Sequence, residues 1–247
     1  MITASLAGVA VGIVVGLLGA GGGILAVPIL VYVLGQPPHT ATAESLVIVG
    51  LTARIALLTR WRAVQFREGI IFSLGAIVGA VIGSRLSPFV DGRTLLILFS
   101  ALLFGIGFTM LTRALHNHDD EAPHITRKPL LTVILAALGT GILTGFFGVG
   151  GGFVVVPALV LVLGIPIRFA SATSLLVMVL TTASGLLARI GSNLTIDWKV
   201  TLAFAIASML GGLIGGPLSR KLPAQALSVA FSCLLLGVAA FVGIMNA

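Results

Sequence analysis

The sequence predicts an all-α polytopic membrane protein made of two inverted repeats, each a glycine-broken helical hairpin followed by three transmembrane helices. The first observation behind this fold class is the composition. The 247-residue chain is 58% hydrophobic and only 9% charged, whereas soluble domains carry roughly 25% charged residues. Several of its apolar runs reach or approach the ~20 residues that cross a bilayer as a helix.

The second observation is a duplicated motif. The stretches "GLLGAGGGILAVP" at 16–28 and "GFFGVGGGFVVVP" at 145–157 are identical at 7 of 13 positions. The match continues at an offset of 129 residues as far as Arg60 and Arg189, and after an insertion of three residues it resumes at an offset of 132. This pattern indicates an internal duplication.

The duplication divides the chain into three parts. We expect a first transmembrane repeat at 1–115, a polar cytoplasmic linker at 116–129 and a second transmembrane repeat at 130–247.

The third observation is the number of spans in each half. The apolar run after the first glycines, 23–34, gives about 18 Å of helix, too short for a hydrocarbon core of about 30 Å. A hairpin that breaks at the glycines and returns to the same side leaves three full spans in each half. Three is odd, so the second half must be inverted. A continuous span through the glycines, with four spans in each half and parallel repeats, is the open alternative.

The remaining apolar runs complete the two halves. In the first half, helices are predicted at 3–19, 23–34, 41–60, 68–86 and 94–112. In the second half, they are predicted at 130–148, 152–164, 170–190, 197–216 and 223–245.

The net charge of +7 is interpreted as a signal of membrane orientation and not of nucleic-acid binding. Most basic residues lie in short loops, where they favour the cytoplasmic side. With the loop 60–67 in the cytoplasm, nine basic residues lie inside and four outside. The inner set is Arg60, Arg62, Arg67, Arg113, Arg127, Lys128, Arg168, Arg220 and Lys221; the outer set is Arg85, Arg93, Arg189 and Lys199.

The two glycine triplets are the first candidates for a binding site. Unwound backbone inside a bilayer is costly unless its amides find partners, and it survives where it lines a cavity or meets a ligand. The helix starts that follow present N–H groups and a positive dipole end, which suit an anion. The alternative is that the glycines only permit a tight turn and close packing. The predicted substrate-binding glycines are Gly21, Gly22, Gly23, Gly150, Gly151 and Gly152.

Hydroxyl groups form a second matched set. "TATAES" at 40–45 aligns with "FASATS" at 169–174, and both open the helix after the hairpin. Thr42, Ser45, Thr173 and Ser174 are therefore predicted to donate to the same anion. Capping of their own helix is the alternative role.

Two charged residues lie within predicted spans of the first half. Glu44 is a candidate for carrying a coupling proton, because ionisable residues inside a membrane are candidates for function. Its alternative is a place at the membrane surface. Arg54 is a candidate for attracting the anion, and its alternative is to extend toward the interface.

The chain resembles the TauE/SafE family, the 4-toluene sulfonate uptake permease family of sulfite and organosulfur anion exporters. The resemblance rests on the duplicated glycine motif, the hydroxyl-rich openings and "DWK" at 197–199. It implies transport of sulfite, sulfonates or related organosulfur anions in the bacterial inner membrane. The first half departs from this pattern with "QFR" at 65–67, which puts equal roles for the two halves in doubt.

The paired breaks predict a secondary transporter that works by alternating access around a midplane site between the repeats, and the resemblance implies that it is an exporter. An anion channel that uses the same glycines is the alternative function. An enzyme is not expected, because GxSxG, HExxH and a pair of buried carboxylates are absent, so no catalytic residue, cofactor or metal site is predicted. The expected partners are the anionic substrate and the lipid bilayer, without nucleic acid; a homo-oligomer stays open.

Overall fold

A computed structural model describes residues 2–19, 22–116, 129–189, 196–219 and 221–246, with side chains from residue 5 onward. This part of the chain forms ten α-helices. The predicted linker 116–129, Gly21, and the basic residues Arg127, Lys128 and Arg220 lie wholly or mostly outside the described residues. The helices are α1 (Ile2–Leu18), α2 (Gly23–Pro28), α3 (Pro38–Arg60), α4 (Phe66–Leu86), α5 (Gly92–His116), α6 (Leu130–Phe147), α7 (Gly152–Leu161), α8 (Ile167–Ala188), α9 (Trp198–Ser219) and α10 (Ala224–Asn246).

Helix α2 continues into a π-helical turn at Ile29–Val33, so the short run after the first glycines is helical over Gly23–Val33. The described residues form helices and no strand, which confirms the all-α polytopic fold class, whereas the inverted arrangement of the two repeats stays a prediction. Seven helices in the described ranges are long and apolar enough to cross a membrane. Helix α6, with 18 residues, is one of them, whereas α1, with 17 residues, falls just short.

Both glycine breaks are present, and the chain turns back at each. Gly22 packs against Val11 and Val15 of α1, although residues eleven positions apart in a continuous helix would be about 16 Å apart. In the same way, Gly151 packs against Thr144 of α6. These contacts favour the hairpin over a continuous helix through the glycines.

The backbone shows the same exceptional conformations in both halves. Helices α1 and α6 end at Gly19 and Gly148, which have φ values of +61° and +63°. Gly35 and Gly164, after the second arm of each hairpin, have φ values of +68° and +69°. These left-handed conformations are accessible to glycine without a steric penalty, which explains why both halves carry glycine there.

The helices pack in an exchanged pattern, in which a helix of one half packs against a helix of the other half. Helix α1 packs against α9, and its counterpart α6 packs against α4, the counterpart of α9. Helix α3 packs against its own counterpart α8, and α5 against α10. Helices α3 and α8 have the largest buried fraction of the membrane-length helices, 61% each, and therefore occupy the centre of the molecule.

Small residues allow the exchanged helix pairs to approach closely. A Cβ atom at Gly79 or Gly83 of α4 would overlap the carbonyl oxygens of Leu138 or Ile142 in α6. Gly211 and Gly215 of α9 meet Val9 and Ile13 of α1 in the same way. The glycines at four-residue intervals thus serve packing, as their spacing predicts.

Replacing Gly79 with alanine is expected to destabilise the protein by about 1–3 kcal/mol, because the added methyl group forces α4 and α6 apart. Gly105 in α5 is the matched control, since nothing lies within 4 Å of a Cβ there and alanine favours helix. Thermal unfolding in detergent micelles measures both variants. A melting temperature for Gly79→Ala at or above that of Gly105→Ala would contradict the close packing.

Candidate functional site

The two glycine breaks meet at the interface between the halves. Gly23, at the start of α2, lies so close to the carbonyl oxygen of Val149 that a Cβ atom there would overlap it. Gly148 lies equally close to Thr42 of α3, and Gly19 to Ser171 of α8. The structure therefore brings together the breaks that the sequence singled out.

The predicted substrate-binding glycines that the structure describes are all buried: Gly22, Gly23, Gly150, Gly151 and Gly152. Gly150 and Gly151 have φ values of +71° and +80°, so the turn before α7 depends on glycine for its conformation as well as for its space. A side chain at Gly150 would also meet Val49 of α3. Both readings of the glycines, tight turn and ligand site, remain compatible with this geometry.

Two serines join the halves through the broken helix ends. The Ser174 hydroxyl of α8 donates to the carbonyl oxygen of Gly19 at 2.7 Å, and the Ser45 hydroxyl of α3 donates to the carbonyl oxygen of Gly148. Each serine is fully buried. Because Gly19 and Gly148 follow the last residues of α1 and α6, each half supplies a donor to the helix end of the other half.

These hydrogen bonds are not the helix caps that were the alternative role predicted for the hydroxyls. Pro37 precedes the first residue of α3 and Pro166 that of α8, and neither start has a side-chain cap. The Thr42 hydroxyl donates to the carbonyl oxygen of His39 at 2.7 Å. Thr42, Ser45 and Ser174 thus donate to backbone carbonyls, and donation to an anion, which stays a prediction, would require a change of partner.

Two arginines complete a second pair of links. Arg60 Nη2, at the end of α3, donates to the Ser171 hydroxyl near the start of α8 at 2.7 Å. Arg189 Nη1, at the end of α8, donates to the Thr42 hydroxyl near the start of α3 at 2.8 Å. The end of each helix therefore lies beside the start of its counterpart, so α3 and α8 run antiparallel.

Each arginine also donates a hydrogen bond to the first arm of the hairpin in its own half. Arg60 donates to the carbonyl oxygen of Gly16 at 3.4 Å, and Arg189 to that of Gly145 at 3.1 Å. The repeat offset matches Arg60 with Arg189 but does not by itself assign either residue to the site. One signal in the sequence could have identified them: both arginines occupy equivalent positions of the repeat, each at the end of an apolar run.

A third pair of links connects the site to α9 and α4. A Glu44 carboxylate oxygen, Oε1, accepts a hydrogen bond from the backbone N–H of Asp197 at 2.9 Å. Thr173, the counterpart of Glu44, accepts one from the backbone N–H of Gln65 at 3.0 Å. Glu44 is fully buried within the protein. Asp197 belongs to the "DWK" stretch, and Gln65 belongs to the divergent "QFR" stretch.

Arg54 is the predicted residue that the structure leaves apart from this group. Its side chain is exposed on α3, four residues before Leu58, which is 70% exposed. The buried Arg60 and the partly buried Arg189, and not Arg54, are the cations beside the glycine-broken helices.

Comparison with known proteins identifies the family of this site. Residues 4–242 match the family described as "Sulfite exporter TauE/SafE". A Xylella fastidiosa (strain 9a5c) protein named "Probable membrane transporter protein" is 35% identical over 94% of this chain and 90% of its own length. YunE from Bacillus subtilis, with the same description, is 28% identical over 87% of each chain. No solved structure matches.

The membrane-length helices and these relatives together identify a multi-pass membrane transporter. The chain belongs to the TauE/SafE family, as the resemblance in its sequence predicted.

Ser174→Ala is expected to destabilise the protein by about 1–3 kcal/mol, because the buried Gly19 carbonyl loses its hydroxyl donor. Ser232→Ala is the matched control. Its hydroxyl is also fully buried, but it donates within α10 to the carbonyl oxygen of Ser228 at 2.8 Å. Thermal unfolding in the same detergent compares them, and equal melting temperatures would contradict a structural role for the link between halves.

Proposed function

We propose that this TauE/SafE family member is a secondary transporter that exports small sulfur-containing anions across the bacterial inner membrane. Sulfite, sulfonates and related organosulfur anions are the substrate class. The family description, which names sulfite export, supports the substrate class and the direction. Alternating access between two inverted halves is the proposed mechanism.

The meeting of the two glycine breaks is the single observation that carries the proposal. Gly23 contacts Val149 at the interface between the halves, and a short apolar helix begins after each break. The first N–H groups of a helix have no partner within it. Inverted-repeat transporters hold anionic groups with such paired helix starts at the membrane midplane, and the exchanged packing supports that arrangement here.

Helix α7 offers the clearer donor set. Gly151 precedes it in a left-handed conformation, and the N–H groups of Gly152 and Phe153 make no backbone hydrogen bond with other described residues. A sulfonate or sulfite oxygen has the charge and the lone pairs that these groups bind. The absent side chain at Gly152 would let the anion approach the backbone.

The local charge also favours an anion. Arg60 is only 2% exposed, and Arg189 is partly buried at the opposite end of the α3–α8 pair. Their guanidinium groups donate to neutral carbonyls and hydroxyls. These two cations contribute positive charge at both ends of the α3–α8 pair, which would partly offset the desolvation of a bound anion.

The same arginines suggest how access would alternate. Each one ties α3 to α8 at one end of the pair, and the predicted orientation places Arg60 at the cytoplasmic end and Arg189 at the outer end. Between them the two glycine breaks approach each other at Gly23 and Val149, where a channel would require an open path. We therefore favour a carrier, in which one tie opens while the other holds, over a channel.

Purified protein in proteoliposomes is expected to show saturable sulfite flux, with uptake of labelled sulfite accelerated by unlabelled sulfite inside. A carrier exchanges bound substrate in this way because the loaded site returns faster than the empty one. Excess sulfonate should compete, and excess chloride should not. Isotope flux across the vesicle membrane measures each effect, with protein-free liposomes as the control.

Three results would contradict the proposal. Flux that rises linearly with sulfite and shows no acceleration by internal sulfite would indicate the channel alternative. Competition by chloride as effective as that by sulfonate would contradict the substrate class, and absence of flux would contradict the transport of sulfite itself.

A further inference from the structure

Only one of the two carboxyl oxygens of Glu44 has a hydrogen-bond partner among the described residues. Glu44 is 0% exposed, and its Oε1 atom accepts the Asp197 N–H. Its other oxygen, Oε2, has no hydrogen-bond partner among the described residues. A buried carboxylate oxygen without a partner is costly, and such atoms in native proteins call for an explanation.

A second buried oxygen without a partner belongs to the helix that begins beside Glu44. Thr201 of α9 is 0% exposed, its hydroxyl has no partner among the described residues, and its backbone N–H donates at 2.9 Å to the carbonyl oxygen of Asp197, the residue that binds Glu44. One added proton would turn the Oε2 atom of Glu44 into a hydrogen-bond donor. It also removes the buried charge.

The equivalent place in the other half shows that the fold does not need a carboxyl group here. Thr173 occupies the position of Glu44 and accepts the corresponding N–H, that of Gln65. Gly69 occupies the position of Thr201 and lies against the Thr173 methyl group. A hydroxyl thus performs the structural task of Glu44, so the carboxyl group and Thr201 are additions specific to one half.

Exposed charged groups lie next to this site at the start of α9. Asp197 is exposed, and its Oδ1 accepts the N–H groups of Lys199 at 3.0 Å and Val200 at 3.3 Å at the start of α9. Lys199 is also exposed. From α8, Arg189 donates to Thr42, two positions before Glu44 and therefore on a different face of α3.

We propose that Glu44, with Thr201, is the binding site of a coupling proton that enters from the side of Asp197. The predicted orientation makes this the outer side. Glu44 would take up one proton there as a neutral carboxyl group and release it inside, so that inward proton movement drives outward movement of the anion. The proposal rests on the proposed function as a secondary transporter.

Two transport assays on the same proteoliposomes separate the two proposals. Sulfite exchange at equal concentrations needs no driving force and tests the transporter alone. Accumulation of sulfite in vesicles, driven by an imposed pH gradient, tests coupling. A parallel assay replaces the pH gradient with a sodium gradient.

Glu44→Gln is expected to retain sulfite exchange and to lose pH-driven accumulation by about tenfold or more, within the range of typical coupling energies. Thr201→Val should weaken the same accumulation, and it serves as the test if Glu44→Gln is not recovered folded. Glu68→Gln is the matched control. Glu68 lies in the first turn of α4, on the side predicted to be cytoplasmic, and its variant should accumulate sulfite as the unmodified protein does.

Loss of exchange in the unmodified protein would overturn the proposed function. If Glu44→Gln and Thr201→Val both accumulate sulfite as well as the unmodified protein does, and exchange is intact, the proposed proton site is wrong. The proposed function as a transporter would not be affected by that result. Accumulation that follows the sodium gradient and ignores the pH gradient would also overturn the proton as the coupling ion.

Discussion

Backbone groups freed inside a membrane protein must find partners within the protein, and this constraint governs the centre of the molecule. The breaks after α1 and α6 leave helix-end carbonyls without partners in their own helices. The hydrocarbon core of a bilayer contains no water that could satisfy such groups. Ser174 donates to Gly19, and Ser45 donates to Gly148. Since each donor comes from the other half, neither broken hairpin is complete alone, and the interface between the halves is also the place where the helices are interrupted.

The contacts that hold the two halves together are therefore also the contacts that the proposed transport cycle would change. The links by serine hold the broken ends, those by Arg60 and Arg189 hold the two ends of α3 and α8, and those by Glu44 and Thr173 hold the starts of α9 and α4. A movement that opens one end of the α3–α8 pair must lengthen the arginine link at that end and can leave the other intact. In the proposed transport cycle, the pairs α1–α9 and α6–α4, which glycines hold in close contact, would each move as one unit.

Most of the fold could be predicted from the sequence, because apolar runs and their interruptions are local properties. The predicted helix at 68–86 is observed at Phe66–Leu86, and that at 152–164 at Gly152–Leu161. The site was only partly predictable. The repeat offset identified the glycines and hydroxyls, but the hydroxyl partners depend on how the halves pack, which no local pattern encodes. Capping of their own helix was the expected alternative for Thr42 and Ser45, but Thr42 donates to the His39 carbonyl within α3 and Ser45 donates to the Gly148 carbonyl in the other half. Arg54 and Arg60 both lie on α3, and only burial in the folded protein separates the exposed one from the buried one.

The reciprocal donation between Ser45 and Ser174 also has a consequence for biogenesis. The first half leaves the ribosome before α8 exists, so the Gly19 carbonyl has to wait for its donor until the second half has been inserted. A chain truncated after α5 would keep an exposed interface of glycine-rich helices, α1 and α4 among them, together with an incomplete hairpin.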